Sequence, residues 1–175
     1  MGNHDDRQEF LRAFPDSFEA DGFVQGAEVL EDFRLIYLDT LSNKGSHTGE
    51  LCDERHAWLR RTLAVDNDRP ALVFMHHPPH AVGLPGLDRL KLENSAAFAE
   101  SLAGANVGMI LCGHLHRETS SQWSGFHTVS IKSTHVAFAL DTSSPQLTRS
   151  FDVPAYGVIV NEGAVLIVHT QDVPI

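Results

Sequence analysis

The 175-residue sequence predicts an α/β layered protein built as one domain. Three features carry this. The apolar runs FRLIYL, ALVFM and VGMIL have strand length, segments with helical periodicity separate them, and the C-terminal part is β-rich. Two strand–loop–helix–strand units in succession bring strands side by side, and the chemistry of such a sheet lies where loops leave strand ends.

The elements follow in order. Residues 5–14 place Phe10, Leu11 and Phe14 at helical spacing, with Asp5 and Asp6 suited to the N-terminus and Pro15 ending the turn. Residues 33–38 read as a buried strand and 42–49 as a polar loop. Residues 54–63 form a helix with Ala57, Trp58, Leu59 and Leu63 along one side and Arg55, Arg60 and Arg61 left to solvent. ALVFM at 71–75 is a second buried strand, stopped by the prolines of HHPP. A helix over 95–102, capped by Asn94, leads into VGMIL, which runs directly into Cys112 and GHLH. Strands at 126–131 and 135–140 follow, then a hairpin of 156–160 with 165–169 around Asn161-Glu162-Gly163.

Composition narrows the function. A net charge of -10 and a pI near 5.4 argue against a nucleic-acid polymer as partner, which needs clustered Lys and Arg. Small anionic substrates remain open, because a metal ion reverses the local field. Two cysteines make neither a disulfide framework nor a close zinc pair, and Cys112 reads as a small buried thiol. The polar start and the lack of any run near ~18 apolar residues predict no membrane partner and a reducing, cytoplasmic setting.

Three histidine-bearing segments stand at strand ends or loop starts: GNHD at 2–5, MHHPP at 75–79 and GHLH at 113–116. Neutral imidazole, the Asn carbonyl and carboxylates together suit Zn, Mn or Fe. His114 and His116, two apart on a loop, are free to diverge toward two ions.

In this order, GNHDD, the Trp58-Leu59 helix, FMHHPP, LENS and CGHLH resemble the calcineurin-like metallophosphoesterase superfamily, and within it bacterial class III cyclic nucleotide phosphodiesterases and related glycerophosphodiesterases. The resemblance implies the C-terminal portion of a four-layer α/β/β/α sandwich, with residues 1–175 a calcineurin-like domain truncated at its N-terminus. It implies Asn3, His76 and His114 as ligands of one ion and His116 as a ligand of another. By the same resemblance His4 faces the phosphate with Asp5 orienting its ring, His77 supports the shell or pocket, and His135 contacts substrate. The implied reaction is hydrolysis of a small phosphodiester, with hydroxide supplied near neutral pH by two divalent ions.

The sequence departs from the family in one respect. Members carry an Asp-x-His and a Gly-Asp motif upstream of GNHD, and neither occurs here. The expectation is therefore at most one ion in this chain, and exposed strand edges such as ALVFM that favour a homo-oligomer. Two alternatives stay open: a non-catalytic remnant that binds metal or a partner weakly, and a mononuclear zinc hydrolase using His76, His114 and His116.

Overall fold

The computed structural model describes residues 1–17, 20–163 and 165–174. After α1 (Arg7–Ala13), the chain alternates strands and helices: β1 (Gly26–Val29), β2 (Arg34–Tyr37), α2 (Asp53–Ala64), β3 (Ala71–Met75), α3 (Pro85–Asp88), α4 (Ser95–Leu102) and β4 (Val107–Cys112). Strands follow: β5 (Thr119–Trp123), β6 (Phe126–Ser130), β7 (Ala137–Phe138), β8 (Arg149–Ser150), β9 (Ala155–Glu162) and β10 (Val165–Asp172). Among the described residues, six strands form one sheet in the order β1-β2-β3-β4-β6-β5. Its centre is parallel and both edges are antiparallel.

Alternation along β3 sorts the core into two faces. Ala71, Val73 and Met75 join Leu59 and Leu63 of α2 and Phe98 and Leu102 of α4 on one side. Leu72 faces the other way, where Met109, Leu111 and Val129 meet Ile159, Leu166 and Val168 of the β9–β10 hairpin. Helices, sheet and hairpin thus stack as three layers. Between sheet and hairpin lies an apolar cavity of about 530 Å³, lined by Phe74, Leu111, Ile131, Ile159 and Val168 among others, with His76 and Gly113 also on its wall.

Four expectations need correction. ALVFM is no edge, because β2 and β4 flank it and Leu72 and Val73 are fully buried. Arg55 does not face solvent; it is completely buried, with Nη1 donating to the Asp39 and Leu41 carbonyls and its guanidinium 4.6 Å from the Phe23 ring centre. Asn94 is the N-cap residue of α4, but its side chain makes no capping bond and instead clasps the Leu51 backbone and His56. The strand placed at 135–140 shrinks to Ala137–Phe138. β5 was not anticipated, because Thr-Ser-Ser-Gln-Trp carries no apolar alternation.

Candidate metal centre

β3 and β4 are parallel neighbours whose last residues, Met75 and Cys112, pair in register. The HHPP and GHLH segments therefore leave the sheet side by side, and Gly113 N–H donates to the His76 carbonyl at 3.0 Å. Beyond Gly113 the backbone takes the left-handed region at both His114 (φ 66°) and His116 (φ 52°). Such residues cost about 1–3 kcal/mol each, and they concentrate at functional sites. Leu115 between them is buried and packs with Leu84 and Leu87, which offsets part of that cost. The His114 ring packs against His76 and His77, and the His116 ring stacks on Phe138.

The GNHD turn closes on itself. Asp5 N–H donates to the Gly2 carbonyl, and Gly2 N–H donates to Asp5 Oδ2 at 2.8 Å. Asp6 caps α1 by accepting from Glu9 N–H, as the acidic pair predicted. Asn3 Oδ1 lies 3.0 Å from His76 Nε2, and His114 Nδ1 lies 3.2 Å from the same nitrogen. Two glycines make room. A Cβ at Gly2 would stand 2.7 Å from the His76 ring, and one at Gly49 would stand 2.5 Å from His77 Cβ.

Burial is the chief force on this cluster. It pushes the pKa of His76 down to about 4, that of His114 to about 3 and that of His77 to about 2, so all three rings are neutral near pH 7. One ring nitrogen from each of His76, His77 and His114 lies within 4.8 Å of the others. Nε2 of His77 and Nε2 of His114 are buried without a hydrogen-bond partner. Neutral imidazoles with unsatisfied nitrogens, beside an amide oxygen, are the donor set of a borderline divalent cation. Separations of 3.0 and 3.2 Å also suit donor atoms that share one ion at the usual distance of about 2.1 Å. The residues fit a metal ion.

The other predicted residues are placed as follows. His116 Nδ1 lies 2.6 Å from the Val136 carbonyl, which makes Nδ1 the donor and leaves Nε2 with its lone pair. His4 is exposed, with its ring 5.5 Å from that of His47. Asp5 bonds the Gly2 amide. His77 is completely buried, its Nδ1 2.8 Å from Thr40 Oγ1. His135 is exposed, and its backbone N–H bonds Ser133 Oγ rather than the cluster.

Sequence reasoning missed His47. Its Nδ1 stands 3.1 Å from Asn3 Nδ2, so it accepts from the amide whose oxygen meets His76. The contact spans 44 positions from within a polar loop, and no local pattern announces it.

A family model described as calcineurin-like phosphoesterase matches residues 1–118, a span that holds all three histidine segments. The chain belongs to the calcineurin-like phosphoesterase family. Among family relatives, a probable cyclic nucleotide phosphodiesterase of Rhodopseudomonas palustris is 37% identical, over 97% of this chain and 64% of its own length. A 3',5'-cyclic adenosine monophosphate phosphodiesterase of Escherichia coli K12 is 31% identical, over 92% of this chain and 60% of its own. A probable glycerophosphodiester phosphodiesterase of Arcobacter nitrofigilis is 34% identical, over 80% and 52%. The chain thus spans between half and two thirds of these relatives. A crystal structure of a dimetal phosphatase from Danio rerio superposes with a TM-score of 0.61 at 17% identity, covering 75% of this chain and 59% of that one. That likeness establishes the shared mixed α/β fold. No described helix is long and apolar enough to cross a membrane.

Proposed function

We propose that this chain carries the Asn/His half of a divalent-metal site in a hydrolase of small phosphodiesters, cyclic nucleotides or glycerophosphodiesters. In this reading residues 1–175 are the C-terminal portion of one calcineurin-like domain. The observation that carries it is the convergence of Asn3 Oδ1, His76 Nε2 and His114 Nδ1 from three separate loops. Those three would hold one ion, and His116, whose Nδ1 is taken by the Val136 carbonyl, would offer Nε2 to a second.

Divalent ions, when bound, offset phosphate charge and make hydroxide available near neutral pH. The chain's own residues do the rest. His4, which is exposed, would reach a phosphate oxygen or deliver a proton to the leaving alkoxide. His47 fixes the Asn3 amide with its oxygen toward His76, and Thr40 fixes the His77 ring behind His76. The names of the relatives favour cyclic nucleotides or glycerophosphodiesters over nucleic-acid polymers, as does the acidic composition.

A mononuclear three-imidazole site is the second reading, with His77 in place of the expected His116, favoured by the ring nitrogens of His76, His77 and His114 within 4.8 Å. Zn, Mn and Fe loading with elemental analysis, followed by turnover of bis(p-nitrophenyl) phosphate, tests both. Metal binding lost in His76→Ala supports the site. Failure of all three metals to bind the parent chain would defeat either reading.

A further inference from the structure

The segment that follows β2 is used twice. Asp39 and Thr40 are consecutive and completely buried, yet they grip different elements. Thr40 Oγ1 holds His77 Nδ1, and so acts on the imidazole shelf. Asp39 reaches instead to Arg7, the first residue of α1. Its Oδ2 accepts from Arg7 Nε at 2.6 Å and its Oδ1 from Arg7 Nη2 at 3.1 Å, a two-point fork. Backbone amides of Val24 and Leu41 complete its shell, and Arg55 stands 3.9 Å away.

Arg7 opens α1, directly after the turn bearing Asn3 and His4. From Gly2 to Arg7 the chain is one unit, closed by the Gly2–Asp5 bonds and the Asp6 cap. Yet α1 has seven residues and buries none of them. A helix that short is marginal, and its apolar residues Phe10 and Leu11 are only half-buried, Phe10 on the wall of the apolar cavity. What fixes it is Arg7. Besides the fork, its Nη1 donates to Asn43 Oδ1 and its Nη2 to the Leu41 carbonyl, while the guanidinium sits 5.1 Å from the Phe23 ring centre. Arg55 lies against the same ring.

We infer that the Arg7–Asp39 pair is a latch that holds the Asn3 loop over the His76–His114 shelf, which makes both of them positioning residues of the metal centre. The inference deepens the reading of the site given above and rests on it only for metal affinity. Loop placement is testable without metal.

The variant of choice is Arg7→Gln, which leaves Asp39 beside Arg55. Asp39→Asn also strips a fully buried Arg55 of its carboxylate and is the harsher companion. Amide hydrogen exchange of the metal-free chain is the first measurement. Arg7→Gln should speed exchange of the Asp5 amide and of α1 by about tenfold or more while β3 and β4 keep their protection. Zinc titration is the second, with affinity expected to fall by about 10–100-fold, the usual effect of removing an outer partner. Arg7→Lys, which keeps the charge without the fork, should fall between parent and Arg7→Gln. Unchanged loop protection, or exchange that rises equally in β3 and β4, would overturn the latch. So would a faster loop with zinc affinity unaltered. A parent chain that binds no zinc would refute the metal reading, and the exchange comparison would still decide the latch.

Discussion

Asn3 Oδ1 and His76 Nε2 stand 3.0 Å apart across 73 positions of sequence. His76 is the hub of the cluster, since the same nitrogen also meets His114 and its ring lies edge-on to that of His77 at 4.9 Å. The adjacent histidines should therefore separate cleanly on mutation. His76→Ala is expected to lower zinc affinity by more than the ~10–100-fold that an outer partner costs. His77→Ala, which empties a fully buried position and removes the ring partner of Thr40 Oγ1, should instead cost about 2–5 kcal/mol of stability. Zinc titration and urea denaturation of the two variants would decide, and the reverse pattern would exchange their roles.

A second expectation concerns space rather than ligands. Gly2→Ala would put a methyl group 2.7 Å from Cγ and Nδ1 of His76, so the ring has to move. Overpacking of this kind costs about 1–3 kcal/mol. The displaced ring should also bind zinc about tenfold more weakly, by analogy with other disturbances of ligand orientation. Parent-like affinity in Gly2→Ala would mean that the His76 orientation is not what the site depends on.

Much of this was legible in the sequence, for physical reasons. β3 and α4 were found residue for residue because a continuous apolar run and a bounded helical repeat leave little else to choose. The meeting of His76 and His114 follows from strand-end placement, since Met75 and Cys112 pair in register, whereas Asn3 lies on a turn with no described strand before it and was expected from the family resemblance, as was His116. Other features depend on partners far along the chain. Arg55 looked solvent-facing because isolated helix periodicity assigns charge to the outside, whereas Asp39 and Phe23 draw it in. Asn94 looked like a cap until Leu51 and His56 claimed its amide. His47 lies in a loop without periodicity, where only the fold brings it to Asn3.

Acid should weaken the fold through His56. This ring is buried between α2 and α4, with Nδ1 2.9 Å from Ser101 Oγ and Nε2 2.9 Å from Asn94 Nδ2. Burial, the leading cause, holds its pKa below the ordinary value. The unfolded chain thus binds a proton at higher pH than the folded chain does. Stability from His56 is complete above pH ~6.5 and declines as pH falls below it, by at most about 1.4 kcal/mol per pH unit. His76, His77 and His114 are lowered too and act with the same sign. Urea midpoints of the metal-free parent should fall between pH 7 and 5, and His56→Gln should show a shallower fall. Identical slopes would mean that His56 does not contribute.

The last prediction is restoration of the second half of the site. Asn3, His76 and His114 already converge, and His116 keeps Nε2 open by giving Nδ1 to Val136. No Asp-x-His stands anywhere in the 175 residues, so carboxylates of the family type are not supplied. The 175-residue chain should therefore bind at most one ion and turn over bis(p-nitrophenyl) phosphate poorly. The apolar cavity of about 530 Å³ between the sheet and the β9–β10 hairpin, with His76 and Gly113 on its wall, has the lining that additional strands would bury. Joining a family-type segment with Asp-x-His and Gly-Asp motifs ahead of GNHD should fill that cavity, bring carboxylates to His76 and His116, and yield two ions with diester hydrolysis. Elemental analysis and turnover of the two chains make the comparison. Two tightly bound ions with brisk turnover in the 175-residue chain would show that other carboxylates complete the site. A well-folded extended chain that still held one ion would show that His116 does not serve a second.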